Sequence, residues 1–195
     1  MSLLRRKYKC CFIGNFGAGK TSFIRSVLGL PLDKIQTTLG IDFFTTTLCV
    51  KNTTASITLW DTAGSERFRS LTMSYVRDSD IVFIIYDLTD KNAIQSIVQG
   101  FRDLENCQPK VVAVVGNKLD LIGRISHDIH DAIHPWARQG WKIVTGTCSA
   151  NKPETTKKIL MRCLNLVVES PMPEITTVVP VRLNHKSNPS QKCCT

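Results

Sequence analysis

The stretch GNFGAGKT, Gly14 to Thr21, decides the fold of this chain. It matches the pattern G-x-x-x-x-G-K-[ST] between an apolar run, YKCCFIG (8–14), and a helix-like segment, KTSFIRSVLGL (20–30). The glycines let successive backbone N–H groups face phosphate oxygens, while Lys20 reaches the outer phosphates and Thr21 offers a hydroxyl to magnesium. A glycine-rich turn that only caps a helix is the alternative, but the flanking strand and helix favour a phosphate-binding loop. The residues assigned to it are Gly14, Asn15, Phe16, Gly17, Ala18, Gly19, Lys20, Thr21 and Ser22.

Strand-like and helix-like segments alternate outward from this loop. Runs of apolar and β-branched residues predict further strands at DFFTTTLCV (42–50), ASITLWD (55–61), DIVFIIYD (80–87), KVVAVVGNKLD (110–120) and WKIVTGTCSA (141–150). Apolar residues at helical spacing predict helices at NAIQSIVQGFRDLEN (92–106) and PETTKKILMRCLNLVVES (153–170), and Gly29 is expected to end the first helix. The polar stretch KNTT (51–54) suits a hairpin turn. This order predicts an α/β fold, a mostly parallel six-stranded sheet with helices on both faces and ligands at the carboxyl ends of its strands.

Length and composition predict one globular domain with a polar tail. The chain has 195 residues, and it divides into an N-terminal extension (1–6), a folded domain (7–169) and a flexible, proline-punctuated tail (170–195). Its net charge of +9 favours acidic partners such as phosphates or an anionic membrane. Nucleic acid is not expected, because no basic stripe carries interleaved aromatics. No apolar run is long enough to span a bilayer, and the start shows no secretory signal.

The placement of the cysteines does not indicate a disulfide framework, and one group of histidines raises the question of a metal site. Five cysteines lie in apolar segments, where a thiol is expected to pack as a small hydrophobe: Cys10, Cys11, Cys49, Cys148 and Cys163. Three histidines and one aspartate fall on one face of a candidate helix, which Pro135 is expected to kink or restart: His127, His130, Asp131 and His134. That face is either a zinc site or, as the pattern favours, a solvated surface.

The stretch GNKLD, 116–120, predicts selectivity for guanine. At this spacing Asp120 accepts hydrogen bonds from N1 and the exocyclic amine, and adenine would leave a buried carboxylate unpaired. Asn117 is expected to tie this loop to the phosphate loop, and the stem of Lys118 to lie along the base. The later stretch CSAN supplies backbone N–H groups towards the guanine carbonyl, Ala150 foremost. The predicted base site is Asn117, Lys118, Asp120, Ser149, Ala150 and Asn151.

These motifs, in this order, resemble the Ras-like small GTPases, and most of all their Rab branch. The resemblance covers about 7–169 and rests further on TLGIDFF (38–44), LWDTAGSERF (59–68), RSLTMSYVRDSD (69–80) and FIIYDLTD (83–90). It implies a P-loop G domain that binds GTP or GDP with Mg²⁺. It also implies that Thr21 and Thr38 bind the magnesium, that Asp61 holds it through water, and that the Gly64 N–H binds the γ-phosphate. The segments around Thr38 and after Gly64 would then order with GTP and relax without it.

Three positions depart from that family's pattern. Ser65 stands where the family has the glutamine that orients the attacking water. Phe16 places a benzyl group inside the phosphate loop, where an activating protein inserts its catalytic residue. Leu32 stands about where an aromatic covers the guanine. The resemblance therefore implies catalysis by Lys20, Thr38, Gly64 and Ser65, but slowly, and a GTP-locked scaffold without turnover is the alternative.

The end of the chain, QKCCT, matches the terminal cysteines of Rab proteins, which implies prenylation of Cys193 and Cys194. Two prenyl chains hold a protein to a membrane where one gives marginal binding. The alternative is a pair of free thiols on a polar tail. The resemblance implies a monomer on the cytosolic face of endomembranes or vesicles, with a soluble pool. Its expected partners are effectors, an exchange factor, an activating protein and extraction or escort proteins.

Overall fold

The computed structural model of the chain describes residues 6–33, 35–38, 40–65, 69–122 and 128–169. Strands and helices alternate along these residues in the order β1 (Arg6–Ile13), α1 (Lys20–Leu28), β2 (Ile41–Val50), β3 (Thr53–Thr62), α2 (Arg69–Val76), β4 (Ile81–Asp87), α3 (Ala93–Leu104), β5 (Val111–Asn117), α4 (His130–Arg138), β6 (Ile143–Thr147) and α5 (Pro153–Glu169). A short 3-10 helix, Leu119–Leu121, follows β5.

The six strands form one sheet in the order β2-β3-β1-β4-β5-β6. Strand β2 is antiparallel to β3, and every other neighbouring pair is parallel. Helical crossovers join the parallel strands, whereas β2 and β3 form a hairpin. The predicted α/β fold with a mostly parallel six-stranded sheet is confirmed.

Helices cover both faces of the sheet because the side chains of each strand alternate. In β1, Cys10 and Phe12 pack with α1 and α5, whereas Cys11 and Ile13 face the layer that contains α2, α3 and α4. Phe12 stacks on Phe83 of β4 with ring centroids 4.5 Å apart. With both faces covered, β5 is buried along its whole length, which accounts for its continuous apolar run.

The predicted helices α1, α3 and α5 lie where their apolar spacing placed them. Gly29 caps α1 with φ 71°, a left-handed conformation that glycine adopts without a Cβ penalty. In α5 the apolar residues that recur at helical spacing are all buried: Ile159, Leu160, Cys163, Leu164 and Val167.

Some expectations about local structure were wrong. Cys49 is exposed, because it lies on the outward side of the edge strand β2. The hairpin turn is shorter than KNTT: Lys51 and Asn52 take positive φ angles of 47° and 60°, and β3 begins at Thr53. Such a two-residue turn matches the twist of the paired strands. Helix α4 continues through Pro135 rather than restarting there, and α2 was not predicted as a helix.

The ends of the chain lie mostly outside the described residues. Of the predicted extension, only Arg6 is described, as the first residue of β1. The predicted tail, 170–195, is outside the described residues together with Cys193 and Cys194. Within the described ranges, no helix is both long and apolar enough to cross a membrane.

Candidate nucleotide and magnesium site

Lys20 begins α1 inside the glycine-rich loop and is buried, with 6% of its surface exposed. Its ammonium donates to the carbonyl oxygens of Gly14 (2.8 Å) and Asn15 (3.1 Å). Burial lowers the pKa of Lys20 to about 8, and the nearby charge of Asp61 opposes that shift. A desolvated ammonium at the N-terminus of a helix is a strong position for an anion, because both the charge and the helix dipole favour it.

Side-chain oxygens from three segments converge beside Lys20. The Thr21 hydroxyl donates to Oδ2 of Asp61 at 2.6 Å and lies 3.0 Å from the hydroxyl of Thr38. The Thr38 hydroxyl donates to the same carboxylate oxygen at 3.3 Å. The structure therefore brings together the three residues that the sequence assigned to magnesium.

The chemistry of this cluster fits a magnesium ion. Mg²⁺ takes oxygen ligands, usually one or two from the protein with the rest from water and phosphate. Asp61 is fully buried. Among the residues described, its Oδ1 is the one buried side-chain nitrogen or oxygen atom that has no hydrogen-bond partner. Burial raises the pKa of Asp61, while the Thr21 hydrogen bond and the Lys20 charge oppose the shift. A cation at this position would satisfy the orphaned oxygen.

Gly64 approaches the phosphate loop so closely that a side chain would not fit. A Cβ at Gly64 would lie 2.6 Å from both the Lys20 ammonium and the Phe16 backbone nitrogen. The next residue, Ser65, lines a cavity of about 370 Å³ with Phe16, on the side of α2 and α3. Phe16 also lines a second cavity, of about 190 Å³, together with Lys20, Thr21 and Thr38. The two departures from the family pattern thus lie next to the predicted phosphate site.

Asn117 joins the predicted base-reading loop, 116–120, to the predicted phosphate loop. Its Nδ2 donates to the carbonyl oxygen of Ala18 (3.1 Å) and, at longer range, to that of Gly19 (3.4 Å). Gly19 has a φ of 91°, and a Cβ there would collide with the Asn117 amide. The contact that the sequence assigned to Asn117 is therefore present, and it requires glycine opposite.

Asp120 lies on the 3-10 helix after β5, with both carboxylate oxygens engaged. Ser149 Oγ donates to Oδ1 at 2.6 Å, and Asn151 Nδ2 donates to Oδ2 at 3.0 Å. These bonds, with that from Ser149 the largest, lower the pKa of Asp120. Lys118 has a left-handed backbone (φ 65°), and its ammonium pairs with Asp87 at 2.6 Å.

Other predicted contacts differ from the arrangement observed. The backbone N–H of Ala150 donates to Asn117 Oδ1 at 3.3 Å, so its bond to a guanine carbonyl stays a prediction. Leu32 is half-buried and does not line the cavities around the phosphate loop. The rings of His130 and His134 contact each other in a tilted arrangement with centroids 5.4 Å apart, and His127 lies outside the described residues. Within those residues no three His, Cys, Asp or Glu side chains form a metal-binding group.

Two contacts near the site were missed from the sequence. Asn15 Nδ2 donates to the Ser96 hydroxyl at 2.6 Å and so ties the phosphate loop to α3. Arg69 Nε and Nη2 donate to both oxygens of Asp103 at 2.6–3.0 Å and tie the start of α2 to α3. Each pair is far apart in sequence, so spacing gave no signal for either.

Comparison with known protein families agrees with this geometry. Residues 9–169 match the Ras family, and the matched part contains the phosphate loop, the Thr21–Thr38–Asp61 cluster and the base-reading loop. Proteins of this family are small GTP-binding switches that bind GTP or GDP with Mg²⁺ and hydrolyse GTP. Because the match spans most of the chain and every element of the sheet, the chain belongs to the Ras family.

Proposed function

We propose that the chain is a Rab-type GTP/GDP switch that acts in vesicle and membrane trafficking and hydrolyses GTP slowly. The observation that carries this proposal is the convergence of Thr21, Thr38 and Asp61 beside the buried ammonium of Lys20. Thr38 comes from the segment before β2, whereas Thr21 belongs to α1. A ligand that bridges these residues would hold the two segments together, which is the physical basis of an order–disorder switch.

Each group has a defined role in this proposal. Lys20 holds the outer phosphates, and the N–H of Gly64 binds the γ-phosphate. Thr21, Thr38 and Asp61 would hold Mg²⁺ with their side-chain oxygens. The ion, when bound, neutralises charge on the phosphates.

Slow hydrolysis follows from the side chains beside the phosphate site. Ser65 is too short to hold a water against the γ-phosphate as a glutamine would, and it has no amide to donate. Phe16 is 68% exposed at the wall of three cavities. At this position its ring would obstruct the catalytic residue that an activating protein inserts. Positioning of the water and charge stabilisation supply most of the rate in phosphoryl transfer. Ser65 weakens the first and Phe16 obstructs the activating protein's share of the second, so hydrolysis is slow.

Phe16 also favours the second candidate, a GTP-locked scaffold. A ring that blocks an activating protein leaves the GTP state to be ended by nucleotide exchange or membrane extraction. The two candidates share nucleotide binding and differ in turnover alone.

Effector binding is supported by an exposed aromatic patch next to the switch segments. Phe43 packs on Trp60 and Trp60 packs on Tyr75, with ring centroids 5.5 and 5.4 Å apart. Phe43 is 64% exposed. The patch spans β2, β3 and α2, so a change in the neighbouring switch segments would alter it. Exposed apolar patches of this kind commonly mark protein–protein interaction sites.

Membrane attachment is assigned to Cys193 and Cys194, as acceptors of geranylgeranyl groups. Each buried CH₂ contributes about 0.8 kcal/mol, so two chains give stable anchoring to the cytosolic face of an endomembrane. Replacing both cysteines with serine should leave nucleotide binding intact and move the protein to the soluble fraction. If the double variant stays on membranes as strongly as the parent, the tail is not the anchor.

The nucleotide that co-purifies with the protein tests the proposed function. We expect a guanine nucleotide at about one equivalent, identified by chromatography after denaturation. GDP supports the slow switch, and GTP supports the locked scaffold. ATP would overturn guanine recognition, as would equal competition by ATP and GTP for the purified protein.

A further inference from the structure

The contact between Asn151 and Asp120 joins two loops that are separately anchored. Asp120 lies on the 3-10 helix Leu119–Leu121, in which the N–H of Leu121 donates to the Lys118 carbonyl at 2.9 Å. Asn151 lies in the turn before α5, where the N–H of Lys152 donates to the Ser149 carbonyl at 2.9 Å. The backbone thus fixes where both side chains begin.

A backbone hydrogen bond also joins the two loops directly. The N–H of Leu119 donates to the carbonyl oxygen of Cys148 at 3.1 Å. The N–H of Asn151 donates to the Ser149 hydroxyl at 3.2 Å, and that hydroxyl in turn donates to Asp120. Asn151 therefore supports Asp120 by two routes, one through its amide side chain and one through Ser149.

The acceptor capacity of Asp120 matches the needs of one guanine edge. An ionised carboxylate has about four lone-pair sites. Ser149 occupies one site on Oδ1 and Asn151 occupies one on Oδ2. One site is left on each oxygen, which suits a base that presents two adjacent N–H donors, as guanine does with N1 and its 2-amino group. A base with only one donor at this edge, such as hypoxanthine, would leave one oxygen short of a bond.

We propose that the side-chain amide of Asn151 is a positioning residue for base selection, because it fixes the plane of the Asp120 carboxylate for bidentate reading of guanine. The inference rests on the proposed function, since it deepens the assignment of Asp120 to the base. The hydrogen bonds to Asp120, with that from Ser149 the largest, also lower its pKa. Without the amide, only the Ser149 hydroxyl restrains the carboxylate, and the two bonds to guanine form together less often.

The test compares Asn151→Ala and Asn151→Asp with the parent protein in dissociation of fluorescent GDP and IDP. One net hydrogen bond corresponds to a change of about 3- to 10-fold. We expect GDP to dissociate about 3- to 10-fold faster from Asn151→Ala and IDP to change less, so that the GDP/IDP preference falls. Asn151→Asp keeps the size of the side chain but replaces the donor with a second carboxylate, and it should lower the preference further.

Asn106→Ala is the matched control. Asn106 is an exposed residue that precedes the start of β5, whereas Asp120 follows the end of that strand, and this variant should dissociate both nucleotides as the parent does. Unchanged GDP dissociation in Asn151→Ala would overturn the proposal, and so would slower dissociation. Equal acceleration of GDP and IDP would also overturn it, because the residue would then act on the phosphates or on folding. If the parent protein itself fails to bind GDP, the proposed function fails instead.

Discussion

The predicted base-reading groups and the two side chains beside the predicted γ-phosphate position, Ser65 and Phe16, differ in how firmly the chain holds them. On the base side, Asn117 bonds to the phosphate loop, and Asp120 receives hydrogen bonds on both oxygens. On the phosphate side, the Ser65 side chain makes no hydrogen bond to any residue that the structure describes, and most of the Phe16 ring is exposed. For the proposed function, the difference implies that base recognition is preorganised, whereas ordering of the side chains beside the γ-phosphate is left to the ligand and to partner proteins.

The largest expected effect is on base selection. Asp120→Ala should reduce the preference for GTP over ATP by about 10⁴-fold, because a site built to bond two donors loses both acceptors. Displacement of bound fluorescent GDP by GTP and by ATP, in separate titrations, measures this preference. Lys20→Ala should weaken the binding of GTP and ATP alike, since the proposed role of the ammonium is to hold phosphate, which both nucleotides share. Glu105→Ala, an exposed acidic change before β5, is the control. A preference that survives in Asp120→Ala would mean that another group reads the base.

The buried ammonium of Lys20 predicts a pH-dependent stability on the phosphate side. Its pKa, about 8, lies below the ordinary 10.5, so the unfolded chain binds more protons than the native protein between those values, and stability rises with pH there. Relative to Lys20→Met, the free energy of unfolding of the nucleotide-free parent should rise by about 2 kcal/mol from pH 7.5 to 9.5. Urea titrations of both proteins at the two pH values measure the difference. A difference that does not change with pH would show that the ammonium is well solvated.

The smallest expected effect concerns the attachment of α2. Arg69 and Asp103 are partly exposed, with 41% and 20% of their side chains accessible, so their ion pair is worth at most about 1 kcal/mol. Asp103→Asn should therefore change global stability little but speed hydrogen exchange of the α2 amides several-fold. Asp78→Asn, the same chemical change just after α2, is the control and should leave those amides protected. Equal exchange in Asp103→Asn and the parent would mean that apolar packing alone holds α2.

The fold was largely predictable because its signals are local. The phosphate loop is a continuous motif between a strand and a helix, and strand β5 is apolar throughout because helices cover both its faces. Helix α2 was not predicted because its pattern is weak: only Thr72 and Val76 are buried among its eight residues. The exposure of Cys49 depends on its position in an edge strand, which residue type alone does not reveal.

The residues of the site were predictable where a motif fixes their spacing, but their mutual contacts were not. Asn117 and Asp120 belong to one five-residue stretch, whereas the partner of Asp120, Asn151, is 31 residues away. The Arg69–Asp103 pair is separated by 34 residues. Such contacts follow from the order of the strands in the sheet and from the packing of the helices on it, and no local sequence pattern encodes them.

Single-turnover GTP hydrolysis tests most directly the central claim, that this chain binds guanine nucleotide firmly and turns it over slowly. The measurement compares the parent protein, Ser65→Gln, and Ser65→Gln with Phe16→Ser, each with and without a Rab-type activating protein. Ser65→Gln should raise the intrinsic rate, because an amide can orient the water. The double change should be needed for a strong response to the activator, since an inserted arginine contributes about 10³ to 10⁵ in rate. If the parent already hydrolyses GTP as fast as the double variant and responds fully to the activator, the account of Ser65 and Phe16 is wrong.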